Sequence, residues 1–280
     1  MAQELANTKK RIQSVNSTLK ITKAMELVAN AKLKRWKNKM ENITQYLLEM
    51  SDIISTCAGS YDPFNMSIDE LKKYKNTSSK LYIVVTSSLG LCGGYNYNVF
   101  KFLNNKIKPE DKVIILGTKG LIKYSHTDLN LDEDYVSLLD KFDSYASRNL
   151  IDKIINEYKT GKYNEVRLIA TEYKNSLTFI PNDIKILPFE NKNNTINDNI
   201  IFDPNKEEVL SLLIPKYLDV LMYGKLTEAI VCEHASRRNA MDTATDNGEE
   251  LSQKLMLEYN KARQQAITQE ITEISSAANN

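Results

Sequence analysis

Few residues in this 280-residue chain have the types and spacing that catalysis or ligand binding uses. Gly90-Leu91-Cys92-Gly93-Gly94 follows an apolar run and precedes helix-like sequence, where a phosphate-binding loop would sit. A P-loop needs Gly-x-x-x-x-Gly-Lys-Ser/Thr, and here Tyr95 and Asn96 stand where the Lys and Ser/Thr belong. The Gly-x-Gly-x-x-Gly spacing of dinucleotide sites is missing too, so a tight strand-to-helix turn is the better reading. Gly117-Thr118-Lys119-Gly120 is a turn on the same grounds. His126 and His234 have no local partner at metal-ligand spacing, which favours surface or structural roles. Cys57, Cys92 and Cys232 form no Cys-x-x-Cys pair, a pattern that fits a reducing compartment and argues against zinc. Cys92 could be a nucleophile, but no His stands in a recognisable relation to it, and a buried small hydrophobe fits better. Glu249 and Glu250 are adjacent in helical sequence, so they point in different directions and read as solvated surface. No catalytic residue, cofactor or metal ligand is expected.

Two kinds of sequence position these groups. In the middle, Leu81 to Thr86 reads as a buried strand, followed by helix-like sequence from Asn96 to Asn105. Lys112 to Leu116 is a second strand with a short helix after Thr118. Ser144 to Lys159 reads as a helix, Val166 to Thr171 as a third strand and Ile184 to Leu187 as a fourth. Strands alternating with helices predict a small parallel α/β sheet of Rossmann-like type. Asn191 to Asn199 is polar and asparagine-rich and reads as a loop.

The two ends are helical. Leu5 to Cys57 holds no proline, and its glycines are nil, while apolar residues keep a seven-residue beat. One seam series is Leu5, Ile12, Leu19, Glu26, Leu33, Met40, Leu47 and Ile54; the other is Thr8, Val15, Thr22, Ala29, Trp36, Ile43, Met50 and Cys57. That is a coiled-coil signature, and a helix of this length is roughly 80 Å long. Towards the other end, Pro215 suits the first turn of a second long helix, whose only glycines are Gly224 and Gly248. Leu218, Leu221, Met222, Leu226, Ala229 and Ile230 share one face, as do Leu251, Leu255, Tyr259, Ala262 and Ala266. The expected architecture is α/β: a long antiparallel coiled coil of N- and C-terminal helices with an inserted Rossmann-like domain. The boundaries are 1–58 for the first helix, 78–190 for the α/β domain and 207–276 for the last helix.

Composition narrows the function. Nine glycines and six prolines are too few for a loop-rich β sandwich. A net charge of +1 gives no general support to a nucleic-acid partner. The charge is uneven, though: residues 1–40 carry ten basic side chains against Glu4 and Glu26, which points to a local acidic partner. No apolar run approaches the ~18 residues that cross a bilayer, and Met1 to Lys10 lack the apolar core of a signal peptide.

Ile21 to Ala31, Gly90 to Asn96, Ala235 to Asn247 and Tyr259 to Ile274 resemble the γ subunit family of F-type ATP synthases. The most specific stretch is Tyr259-Asn260-Lys261-Ala262-Arg263-Gln264 followed by Ile267-Thr268-Gln269-Glu270-Ile271-Thr272-Glu273-Ile274. The resemblance runs in order through the whole chain, strong at the ends and weak across 100–200. It implies a rotating central shaft whose paired termini enter a hexamer of alternating α and β subunits. The globular part would face the ε subunit and the c-ring, and proton flow through the c-ring would be coupled to ATP chemistry at β. It further implies that Lys23 and Met25 face β, and that Arg237, Arg263, Gln264, Thr268 and Glu270 contact the upper hexamer. Phe202 and Asp203 match a segment near ε and the c-ring. A location at the cell membrane follows, peripheral and on the cytoplasmic side, held by partners alone.

One departure stands out. The family usually has Ser-Asp-Arg-Gly-Leu-Cys-Gly-Gly, whereas this chain has Ser87-Ser88-Leu89-Gly90-Leu91-Cys92-Gly93-Gly94 and so lacks the Asp-Arg pair. Thirty Lys against seven Arg, with many Asn and Ile, suggest an AT-rich, reduced bacterial genome. Two other readings remain at this level: the shaft of a paralogous F-type-like motor detached from proton flow, and a structural coiled-coil adaptor whose α/β head binds a ligand.

Overall fold

A computed structural model describes residues 2–57, 79–189 and 202–278; the asparagine-rich stretch 191–199 lies outside the described residues. The chain divides into two compact units, one made of 1–31 with 237–280, the other of 32–236. Two long helices belong to both: α1, Ala2–Cys57, and α5, Lys206–Ala278.

The second unit is built on a five-stranded sheet. Its elements are β1 (Lys80–Val85), α2 (Tyr95–Asn104), β2 (Lys112–Leu116), α3 (Thr118–Tyr124), β3 (Asn130–Asp132), a 3-10 turn (Leu138–Lys141), α4 (Ser144–Lys159), β4 (Glu165–Tyr173) and β5 (Phe179–Leu187). The strand order is β3-β2-β1-β4-β5. β1 pairs in parallel with both β2 and β4, and β2 with β3.

The sheet is therefore mixed rather than wholly parallel, because β5 runs antiparallel to β4. Residues 174–178 are too few for a crossover helix, so the chain can return only as a hairpin. The short edge strand β3 carries no apolar run and left no signal in the sequence.

Alternation along the strands sorts the core into two layers. Leu81, Ile83 and Val85 of β1 join Leu168, Leu150, Ile154 and α5's Leu218, Met222 and Leu226 on one face. Tyr82 and Val84 turn the other way, onto Val99, Leu103 and Tyr124 from α2 and α3. Both faces are covered, so β1 is buried at every position from Leu81 to Val85. α4 begins where Asp143 caps it, its Oδ1 accepting from the Ala146 N–H at 2.8 Å.

α5 starts earlier than proline placement suggests. It begins at Lys206, with Pro215 inside the helix. Asn205 is the reason: its side-chain oxygen accepts from the Glu208 N–H at 2.8 Å, and Glu207 and Glu208 suit the positive end of the helix dipole. Burial of Leu210 and Ile214 holds the turns before the proline in place.

The seam expected on α1 is present throughout. All sixteen seam positions from Leu5 to Cys57 are buried or half-buried. On α5, Met241, Thr245, Gly248, Ser252, Leu255, Tyr259, Ala262 and Ala266 are the buried or half-buried series, spaced alternately by four and three. Leu251 does not belong to it and is exposed, since Ser252 completes the alternation and Leu251 lies about 100° further round the helix.

Candidate functional site

The first unit is two helices and little else, so its surface is what it has to offer. Within it α1 and α5 are antiparallel: Asn16 lies by Ser252, Leu19 by Gly248 and Thr22 by Thr245. In that register α5 residues beyond about 266 have no α1 residue opposite them. The Thr245 hydroxyl donates to the Thr22 hydroxyl at 2.8 Å, and both residues are buried. Gly248 lets the helices close up, because a Cβ there would meet Leu19 Cδ2 at 2.7 Å. Gly224 does the same in the other unit, where a Cβ would lie 2.7 Å from Leu47 Cδ1. Both glycines of α5 thus mark close approaches of the same two helices.

Away from the seam the surface is apolar where a self-sufficient coiled coil would be polar. Ile21, Leu27 and Val28 of α1 are exposed, and so are Leu257, Ile267, Ile271 and Ile274 of α5. Ile274 is 70% exposed. Contiguous apolar exposure of this kind marks an interaction surface.

The basic side chains of the same stretch point outward. Lys9, Lys10, Arg11 and Lys20 are exposed and form no ion pair among the described residues. Lys23 is the exception, its ammonium 2.5 Å from a Glu249 carboxylate oxygen across the seam. The hydrogen bond that Lys23 donates to Glu249, and then the Glu249 charge, hold the Lys23 pKa above its ordinary value. Glu250, adjacent to Glu249, turns instead to Lys254 at 2.6 Å.

The other candidate residues are placed as follows. Met25 is half-buried on the outward side, near Ile21 and Val28 at helical spacing. Arg263 and Glu270 are exposed and share a face with Ile267 and Ile274; Gln264 and Thr268 share the neighbouring face with Ile271. The Thr268 hydroxyl donates to the Gln264 carbonyl at 2.9 Å. Gln264 and Thr268 also line a shallow open groove with Lys261, Gln265, Gln269 and Thr272. Arg237 differs from the rest: it is only 5% exposed. Phe202 is half-buried and Asp203 exposed, just before α5.

The α/β unit shows why a ligand-binding head is the weaker reading. In an open sheet of this topology a ligand would bind beyond the strand C-termini where the order reverses, between β1 and β4. Here that crevice is filled by the chain itself. Cys92, Tyr95 and Cys232 are buried together, and the Ser236 hydroxyl donates to the Cys92 carbonyl at 2.7 Å. Burial pushes the Cys232 thiol pKa up, which makes it a poor nucleophile. The Gly90–Gly94 segment is a turn, with Leu91 and Gly93 at positive φ. Among the described residues no group of three or more His, Cys, Asp and Glu could hold a metal, and no helix is long and apolar enough to cross a membrane.

An antiparallel helix pair with unpartnered apolar flanks, joined to a head whose ligand crevice is filled, describes a subunit made to be gripped by others. The ATP synthase family profile matches residues 4–280. The chain is 35% identical to the ATP synthase gamma chain of Mesoplasma florum, over 98% of each chain. It is 37% identical to that of Ureaplasma urealyticum serovar 10, over 95% of this chain and 96% of the relative. Among solved structures it is similar in fold to a chain of the Euglena gracilis mitochondrial ATP synthase, in a structure of OSCP, F1 and c-ring. The TM-score there is 0.70 at 15% identity, covering all of this chain and 95% of the other. This chain belongs to the ATP synthase gamma chain family.

Proposed function

We propose that this chain is the rotating central stalk of a proton-transporting F-type ATP synthase, which couples proton flow through a c-ring to ATP synthesis or hydrolysis at β subunits. The observation that carries this reading is the apolar exposure on both helices of the 1–31/237–278 pair, in a member of this family. Such a surface needs a surrounding partner, and a hexamer of α and β subunits supplies one. In this reading the ATP chemistry belongs to β, and this chain imposes different conformations on its partners in turn.

In this reading Lys23 and Met25 face β, while Arg237, Arg263, Gln264, Thr268 and Glu270 contact the upper hexamer. Segments 1–58 and 207–276 form the shaft and 78–190 the head, with Phe202 and Asp203 towards ε and the c-ring. The unpaired lysines and arginines of α1 give an acidic loop on β something to act on. Exposed ion pairs contribute only about 0–1 kcal/mol each, so the load is spread over many contacts. The complex sits on the cytoplasmic side of the cell membrane, held there by the c-ring.

Purification from native membranes tests the reading. The chain should come with α, β and c subunits, and a crosslink from α1 to β should stop ATP turnover. Recovery of the chain free of any hexamer would sink it, and a hexamer lacking a c-ring would point to a detached motor. Met25→Lys should lower ATP-driven proton pumping more than it lowers assembly, and pumping at the normal rate would remove Met25 from the interface.

A further inference from the structure

Along α5, Glu228, Cys232 and Ser236 follow one another at four-residue spacing, so they share one helix face. Each meets a backbone group at the C-terminal end of the sheet. Glu228 Oε1 accepts from the Tyr173 N–H at 2.9 Å. The Cys232 thiol donates to the Thr171 carbonyl at 3.4 Å, and the Ser236 hydroxyl to the Cys92 carbonyl at 2.7 Å. The Tyr95 hydroxyl returns a bond to the Ala229 carbonyl at 3.4 Å.

These backbone groups need partners. The parallel ladder between β1 and β4 ends at Val84 with Ile169. Thr171 and Tyr173 continue β4 past the end of β1, where their groups on that side have no strand to meet. A buried peptide group left unpaired costs free energy, so whatever fills the crevice must bond to it. A ligand would do this in a nucleotide-binding sheet. Here Glu228 and Cys232 do it for β4, and Ser236, on the same helix face, bonds the Cys92 carbonyl in the turn after β1.

We infer that Glu228, Cys232 and Ser236 are a latch through which torque passes between α5 and the α/β body. The inference rests on the rotor reading above. Apolar packing between a helix and a sheet is non-directional and resists sliding weakly, whereas hydrogen bonds to a rigid sheet edge fix the helix in rotation and translation. α5 is continuous from Lys206 to Ala278, so the latched stretch lies on the same helix as the exposed end. Lys225 steadies the latch by holding the second Glu228 oxygen at 2.8 Å.

The test is a single-molecule rotation assay on the hexamer assembled with this chain, with a bead on a cysteine introduced at Leu177, in the exposed β4–β5 turn. The variant Glu228→Ala/Cys232→Ala/Ser236→Ala should assemble and hydrolyse ATP without load as the parent does, yet lose stall torque at the bead. Hydrogen exchange at the Tyr173 amide should quicken about tenfold, the loss of one buried hydrogen bond. Glu228→Gln/Cys232→Ser/Ser236→Thr, which keeps every acceptor and donor, should restore the torque. Parental torque in the alanine variant, with the Tyr173 amide exchanging faster, overturns the latch and leaves the rotor reading standing. If the triple variant fails to assemble, Glu228→Ala alone, at a half-buried site that holds the Tyr173 amide, is judged by the same two outcomes. A parent chain that never turns within the hexamer overturns the rotor reading and the latch together.

Discussion

The α/β body and the paired ends solve the same problem in opposite ways. In the body, Leu81 to Val85 of β1 are buried on both faces, and even the ligand crevice is closed by Cys232 and Ser236. Charged groups at the edge of its sheet are paired too: Asp183 accepts from Arg167 at 2.6 Å and from Lys106 at 2.6 Å, and Asp132 takes Lys112 at 2.8 Å. In the paired ends the seam is satisfied and almost nothing else is. Ile271 and Val28 are exposed, and of the basic residues Lys9, Lys10, Arg11, Lys20 and Lys23 on α1 only Lys23 is ion-paired among the described residues. A region that completes its own contacts is a body; one that leaves them open is half of an interface.

The comparison can be attacked by mutation, beginning with the largest effect. Leu168→Ala, at a fully buried site in β4, should destabilise the chain by about 2–5 kcal/mol in denaturant unfolding. A loss below ~1 kcal/mol would mean that the body is not the well-packed partner in the comparison.

Acid should act next, and mainly on the body. Burial raises the carboxyl pKa values of Asp132, Glu157, Glu165 and Asp183, but hydrogen bonds from Lys112, Lys162, Lys80 and Arg167 respectively bring each below its ordinary value. Groups with depressed folded pKa values stabilise fully above their unfolded values of about 4, and that stability is lost as pH falls through the folded ones. The urea midpoint of the body should therefore fall below about pH 4. A midpoint unchanged down to pH 2 would show that these ion pairs contribute nothing.

Smaller still is the seam itself. Thr245→Val removes the bond to the Thr22 hydroxyl and should cost about 1 kcal/mol, with a double-mutant cycle against Thr22→Val showing coupling. Additive losses would mean that the two hydroxyls stabilise independently.

The smallest effect carries the most weight. Ile271→Ala should change the stability of the isolated chain by no more than about 0.5 kcal/mol, since that side chain is exposed. It should nonetheless weaken the hold of α and β subunits, read as faster release of the chain from the complex. A large loss of stability in the isolated chain would show that Ile271 is used internally, and the contrast between the two regions would fail.

Much of this was legible in the residues because periodicity is a local signal. The α1 seam and helix α4 stand where the sequence places them, since helical periodicity needs no tertiary information. The misplaced features depended on non-local context. Pro215 marks no helix start, because Asn205 and the burial of Leu210 and Ile214 outweigh it. Leu251 lies outside the seam, because register with α1 favours Ser252. The direction of β5 follows from loop length, and strand β3 is three residues long and without pattern. Among the site residues, exposure of Arg263, Gln264, Thr268 and Glu270 agrees with a surface role, while the burial of Arg237 and the pairing of Lys23 with Glu249 could not be read from spacing. Glu228, Cys232 and Ser236 gave no signal at all, since their partners are backbone atoms far away in sequence.

The seven-residue beat of the paired ends has a mechanical corollary. A 3.5-residue repeat on helices that prefer 3.6 makes the pair wind left-handedly. A wound pair is chiral, so twisting it one way tightens the winding and twisting it the other way opens it. Clockwise and anticlockwise drive are thus different mechanical tasks, with unequal compliance, and equal angular recoil of a bead twisted in each sense would show the winding to be too slight to matter.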